Sequence, residues 1–178
     1  MRIISGYYRG MRIKRVKHPK TRETADMVRE AVFNMLGPID GAVLDLFAGS
    51  GAYGLEALSR GASSVHLVDV DRIAVRTIIE NVSLLGASNR VRIRKSDYRD
   101  YLKGLKEDQA FDIAFIDPPY DLGVYQDALK RLVPYLARDA LVVVESHKKQ
   151  VFAPEYPPLN KHKERTYGNK RITIYRKG

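Results

Sequence analysis

The segment AVLDLFAGSGAYGLEAL, residues 42–58, passes from an apolar strand through a glycine-rich turn into a helix, and Asp69 closes the next apolar run 20 residues after Gly49. Gly49, Gly51 and Gly54 fit the G-x-G-x-x-G spacing by which a strand-turn-helix unit lets backbone approach a nucleotide-like ligand. Working outward, strands and helices alternate. The apolar periodicities predict strand 42–47, helix 52–60, strand 64–69, helix 72–85, strand 90–94, helix 98–106, strand 111–116, helix 124–136 and strand 140–145. This repetition implies a Rossmann-like α/β fold, a mostly parallel seven-stranded sheet with helices on both faces.

The two ends depart from the rhythm. HKERTY and KRITIYRK flank Gly168-Asn169 and predict a C-terminal antiparallel hairpin, with Pro154, Pro157 and Pro158 marking an irregular connection before it. At the start, RIIS and MRIKRV around a glycine-containing turn predict a small basic β-hairpin. A helix capped by Thr24 follows, carrying Val28, Val32, Met35 and Leu36, and Gly37-Pro38 stops it. The expected organisation is a single domain, with residues 1–22 an appended basic arm and residues 23–178 the core.

Asp45 ends the first strand, facing the glycine turn. Beside a pyrophosphate a carboxylate there is repulsive, by about 1 kcal/mol or more when partly desolvated, whereas beside an α-ammonium group it is favourable. S-adenosylmethionine (SAM) carries such an ammonium and no phosphate. Gly49 and Gly51 then admit the methionine moiety, Asp69 accepts from the ribose hydroxyls, and Asp97, past the third strand, takes the adenine amine. Phe47, Ala48 and Ser50 in the turn, with Val70 and Tyr98 beside the acids, complete the expected cofactor site. Ser96-Asp97 also reads as a helix cap, and Asp71 as the N-cap of the helix from Arg72.

The strand FDIAFI empties into Asp117-Pro118-Pro119-Tyr120. Two prolines stiffen the backbone and remove two N–H donors, which leaves a cluster of acceptors. An exocyclic amine offers two N–H groups. Bonds from them to the Asp117 carboxylate and the Pro118 carbonyl would orient the nitrogen lone pair, and Asp117 can take up the proton while Tyr120 stacks. Both motifs fall at the carboxyl ends of strands, where open α/β sheets bind ligands. Glu145 and Ser146, at the end of the fifth strand, are candidates to line the same pocket or to cap the strand.

With 178 residues, 44% hydrophobic and 29% charged, the composition is that of one globular domain and excludes disordered and coiled-coil classes. No apolar run is long enough to cross a bilayer, no secretory signal opens the chain, and there is no cysteine. A soluble, cytoplasmic protein without a membrane partner is expected. The net charge of +10 is terminal: residues 1–22 carry +8, residues 147–178 carry +7, and the middle −5. Clustered cations around an acidic middle point to nucleic acid, and Tyr7, Tyr8, Tyr167 and Tyr175 among them offer stacking faces. Histidines 18, 66, 147 and 162 are scattered, so no metal is expected, and His66 reads as structural.

DLFAGSG, Asp69 and DPPY together resemble class I SAM-dependent methyltransferases that act on amines. RIISGYYRGMRIK followed by TRETADMVREAVFNML is similar to the bacterial 16S rRNA (guanine-N2)-methyltransferases of the RsmD type, and the likeness runs from Arg2 through the final hairpin. Where that family has Arg-Pro-Thr before its first helix, this chain has Arg22-Glu23-Thr24. The resemblance implies methyl transfer from SAM to the N2 amine of one guanine in 16S rRNA, within a partly assembled small subunit, by a monomer. Arg2, Arg9, Arg12, Lys14, Arg22, Thr24 and Arg29 are then the candidates to hold RNA, although Arg29 could pair with Asp26 or Glu30 on its own helix. DPPY also serves adenine-N6 enzymes on DNA or RNA, and related tetrapeptides serve protein glutamine methyltransferases. A nucleotide-dependent oxidoreductase and a catalytically silent RNA-binding module are the readings from outside methyl transfer.

Overall fold

The computed structural model describes residues 1–17, 26–106, 108–119 and 123–178. The elements follow in the order α1 (Asp26–Leu36), β1 (Ala42–Asp45), α2 (Ala52–Ser59), β2 (Ser64–Asp69), α3 (Arg72–Leu84), β3 (Val91–Lys95), α4 (Tyr98–Lys103), β4 (Phe111–Ile116), α5 (Tyr125–Leu132), β5 (Leu136–His147), β6 (Glu155–Tyr156), β7 (Leu159–Tyr167) and β8 (Lys170–Lys177). They build an eight-stranded sheet in the order β3-β2-β1-β4-β5-β8-β7-β6. The first five strands are parallel, and β8, β7 and β6 add antiparallel.

Burial explains the central strands. In β1 and β4 nearly every side chain is covered, as expected where helices shield both faces and the sequence runs apolar without alternation. Two apolar cores result. One gathers Val32, Phe33, Leu55, Leu58, Leu67 and Ile78 on the α1, α2 and α3 side, and the other gathers Leu44, Ile116, Leu129, Leu132 and Val144 on the α4 and α5 side.

Strand 42–47 ends at Asp45, helix 98–106 ends at Lys103 and strand 140–145 lengthens to Leu136–His147, and three further differences have local reasons. Helix 124–136 is α-helical only to Leu132 and then tightens into a 3-10 turn over Val133–Tyr135, because Pro134 cannot continue the i→i−4 ladder. The eighth strand is the two-residue β6, lying just before the Pro157-Pro158 pair. The N-terminal arm keeps an antiparallel pairing, Ile3 N–H to Met11 O and Gly10 N–H to Ile3 O, but it amounts to a single bridge, Arg2 with Arg12.

The arm is also built into the body rather than appended to it. Ile3, Tyr8 and Ile13 are buried in the first core. Its backbone also bonds to α2: Ile4 and Ser5 donate to the buried Glu56 carboxylate at 2.8 and 3.1 Å, and Tyr7 donates to Ser59 O at 2.8 Å.

Candidate active site

Three successive strand ends carry acids. Asp45 closes β1, Asp69 closes β2, and Asp97 follows β3. Between the first two runs the glycine turn, tied to the sheet by Ala48 N–H to Val68 O at 2.9 Å. Asp69 holds the turn directly, its Oδ2 accepting from Gly49 N–H and its Oδ1 from Asp71 N–H, both at 2.8 Å. Those bonds use two of the four lone-pair positions of a carboxylate and leave two for hydroxyl donors.

The glycines have different reasons to be there. Gly49 sits at φ 56°, a left-handed conformation, and a Cβ added to it would project into open space. At Gly54 a Cβ would come within 2.3 Å of Leu67 Cδ2 and 2.8 Å of Val65 Cγ1, so this glycine lets α2 lie on β2. The first leaves open space over the turn and the other serves packing.

Asp45 lies beneath the turn, 1% exposed, with Oδ2 accepting from Gly54 N–H at 3.1 Å. Burial pushes its carboxyl up to about 7; the Gly54 bond opposes this and the Asp69 charge adds to it. A carboxylate thus takes one of the orphan donors that a helix N-terminus would otherwise offer a phosphate. Asp69 is also raised, by burial first, despite its N–H partners.

β1 pairs with β4, Asp45 level with Phe115, so Asp117 follows two residues further on the neighbouring strand. At a rise of about 3.3 Å per residue that is roughly 7 Å along the sheet. The turn and the proline corner therefore open on one edge. Asp117 is half-buried, Pro118 is buried and Pro119 is exposed. Carried one residue past Ile116–Val144, the β4–β5 register sets Glu145 beside Asp117. The Asp117 carboxyl is held well above the usual range by burial and by the charges of Glu145 and Asp45, with Lys170 pulling the other way.

Two groups at this edge gave no sequence signal. Tyr53, stacked on Phe115 at 4.7 Å, donates to Glu145 Oε2 at 2.7 Å, and Lys170 on β8 pairs with Glu145 Oε1. Glu145 is thus bound within the sheet edge, while Ser146 is buried and donates to His147 O at 3.3 Å.

Other expected residues divide. Asp97 caps α4 through Arg99 N–H at 2.9 Å, and Asp71 caps α3 as expected. Tyr98 is buried, its hydroxyl donating to Asp127 at 2.6 Å and its ring backing Phe47 at 5.3 Å. Ala48 and Ser50 are buried in the turn and Val70 is exposed. Asn81, which the sequence did not single out, donates to Ser50 O and Lys14 O at 2.9 and 3.0 Å and so joins the turn to the arm.

Among the RNA candidates, Arg2, Arg9 and Arg12 are exposed, and Lys14 pairs with Glu80 at 2.9 Å. Arg29 is corrected. Its guanidinium is wholly buried, donating to Arg2 O and Asp26 with Glu56 at 3.6 Å, because the arm folds over it. Of the interleaved aromatics, Tyr8 and Tyr175 are likewise buried and cannot stack on a base, whereas Tyr7 is 85% exposed. His66 contacts the Tyr101 hydroxyl at 2.5 Å, and burial lowers it to about 4, a neutral structural group. Arg22, Thr24, Tyr120, Glu23 and His18 lie outside the described residues. Among the described residues no helix is long and apolar enough to cross a membrane.

A sheet of this order, with its glycine turn after β1 and a proline-stiffened acid after its neighbour β4, is that of a class I methyltransferase. Solved structures agree: the yhhF protein of Escherichia coli superposes with a TM-score of 0.84 at 34% identity, covering 99% of this chain and 97% of that one. The chain belongs to the family described as conserved hypothetical protein 95, whose profile matches residues 1–176. It is 35% identical to the ribosomal RNA small subunit methyltransferase D of E. coli K12 over 99% of this chain and 90% of that one. It is also 37% identical to YlbH of Bacillus subtilis over 99% of both.

Proposed function

We propose that the protein transfers a methyl group from SAM to the exocyclic N2 amine of a guanine in 16S rRNA, within a small-subunit assembly particle in the cytoplasm. The observation that carries this reading is the common edge on which the glycine turn and Asp117-Pro118-Pro119 open, one strand apart. The full-length likeness to a protein named ribosomal RNA small subunit methyltransferase D supports the substrate, and the likeness to RsmD-type enzymes in the first forty residues supports guanine N2.

The residues fit the cofactor. Asp69 keeps two acceptor positions for a vicinal diol, the space over Gly49 is open, and Asp45 supplies negative charge to a cationic methionyl end. When bound, SAM supplies an electrophilic methyl carbon on a sulfonium, so the chemistry calls for no Lewis acid and we assign no metal.

The chain's own task is to present the amine. Asp117 and the Pro118 carbonyl accept its two N–H groups, and the absent proline N–H donors leave nothing to compete for them. A carboxyl raised by burial is the stronger base, so Asp117 can hold the proton that the amine sheds. A paired guanine hides N2 in the minor groove, so the base must be looped out to reach this edge. Arg2, Arg9, Arg12 and Lys14 on the arm, with Arg22 and Thr24, hold flanking phosphates, and Tyr120 stacks on the base. The protein acts as a monomer.

The test is methylation of naked rRNA, 30S particles and DNA with labelled SAM, followed by digestion to nucleosides. N2-methylguanine from RNA or particles supports the reading, and N6-methyladenine selects the rival amine. D117A should abolish transfer while leaving SAM affinity within a few-fold.

A further inference from the structure

Two carboxylates stand side by side near the ends of β4 and β5, Asp117 and Glu145. Glu145 is 1% exposed, so it cannot be left to solvent. Tyr53 from α2 takes one of its oxygens, and Lys170 from β8 takes the other. Lys170 begins β8 opposite His147, directly after the Gly168-Asn169 turn, and reaches back along β5 to Glu145. We propose that Lys170 is a positioning residue for methyl transfer: by neutralising Glu145 it lets Asp117 stay ionised beside a second acid and accept from the target amine.

The inference rests on the acceptor role given above to Asp117. The charged and titratable groups facing Asp117 are Glu145 on β5, Lys170 on β8, Asp45 on β1 and, through Glu145, the Tyr53 hydroxyl on α2. Three are acids or a phenol, and only Lys170 among these favours the ionised form. Without it, two adjacent carboxylates would disfavour each other's ionised forms with nothing to offset the repulsion. A proton on Asp117 would remove the acceptor that the amine needs and the base that receives its proton.

The free protein can be tested without cofactor or RNA. Carboxyl 13C NMR, with D117N identifying the Asp117 signal, reads its titration in the wild type, K170M, K170R and K170M/E145Q. In K170M the titration should move to higher pH, and K170R should restore it. K170M/E145Q removes both charges, leaves no lone buried ion should K170M fail to fold, and should return the titration towards the wild type. Single-turnover transfer by K170M should be lost towards low pH and recover at higher pH, with SAM affinity unchanged. Superimposable titrations of wild type and K170M, or a double variant displaced as far as K170M, would overturn the proposal. A wild type that methylates nothing would instead sink the functional reading while the NMR titration still judged Lys170.

Discussion

On the proposed reading, the Asp45 carboxyl should make SAM binding depend on pH in a direction fixed by its burial. Burial raises it to about 7, so in the folded protein it is largely protonated below that pH, whereas the unfolded chain has released the proton by about pH 4. Folding stability should therefore decline as pH rises between those values and level off above 7, by up to about 4 kcal/mol for a displacement of three units. A cationic methionyl end favours the ionised form, so binding should strengthen through the same window. Roughly a tenth of molecules hold Asp45 ionised at pH 6 and roughly three quarters at pH 7.5, which predicts ~8-fold tighter binding at the higher pH. D45N keeps an oxygen for the Gly54 N–H and discards the charge. It should be at least as stable as the wild type at pH 7.5, bind SAM more weakly there, and lose the slope. Isothermal titration at constant ionic strength from pH 5.5 to 7.5 measures the binding, and denaturant unfolding over the same range measures the stability. A flat wild-type binding profile, or a slope that survives in D45N and so belongs to Asp69 or Asp117, refutes the role given to Asp45.

Three further outcomes follow from particular side chains. G54A drives a methyl into Leu67 and Val65 and should cost about 1–3 kcal/mol in denaturant unfolding, whereas G49A, facing open space, should weaken SAM binding more than it weakens the fold. N81A strips the buried bonds to Ser50 and Lys14 and should lose about 2–4 kcal/mol of stability, with weaker SAM binding because the turn loses its tie. Reversing Arg9 and Arg12 together should weaken RNA binding and reduce the slope of log affinity against log salt by about one for each phosphate no longer held, read by filter binding, whereas R29K should act on stability and leave that slope alone.

What could be read from the sequence was whatever rests on local periodicity. The strand-turn-helix run from Ala42 to Leu58, the alternation after it and the hairpin at Gly168-Asn169 depend on neighbours a few residues apart. Long-range partners decided the remainder. Arg29 reads as an RNA candidate or as a partner of Asp26 or Glu30 on its own helix; the Asp26 pair forms, but the arm also closes over the side chain, Arg2 O accepting from Nη2, and removes it from solvent. RIIS and MRIKRV read as hairpin strands, yet Glu56 and Ser59 of α2 take the N–H groups a hairpin would have shared. Lys170 looks like the exposed start of an edge strand; only the β5–β8 register brings it to Glu145.

The molecule buries acids in two places, and the contrast separates scaffold from site. Glu56 accepts from Ile4 and Ser5 N–H and from Arg60 at 2.7 Å, with Arg29 beside it, so its charge is answered from within the protein. Such a cluster ties the arm to α2. At the strand ends Asp45, Asp69 and Asp117 are all displaced upward, by burial first and then by neighbouring acids, which exceed what the N–H partners of the first two and Lys170 beside the third return. Selection for stability alone would replace one of them with an amide. Three such acids around an open glycine turn are the arrangement that the proposed sulfonium donor and amine acceptor, which bring positive charge and N–H or O–H groups, would answer.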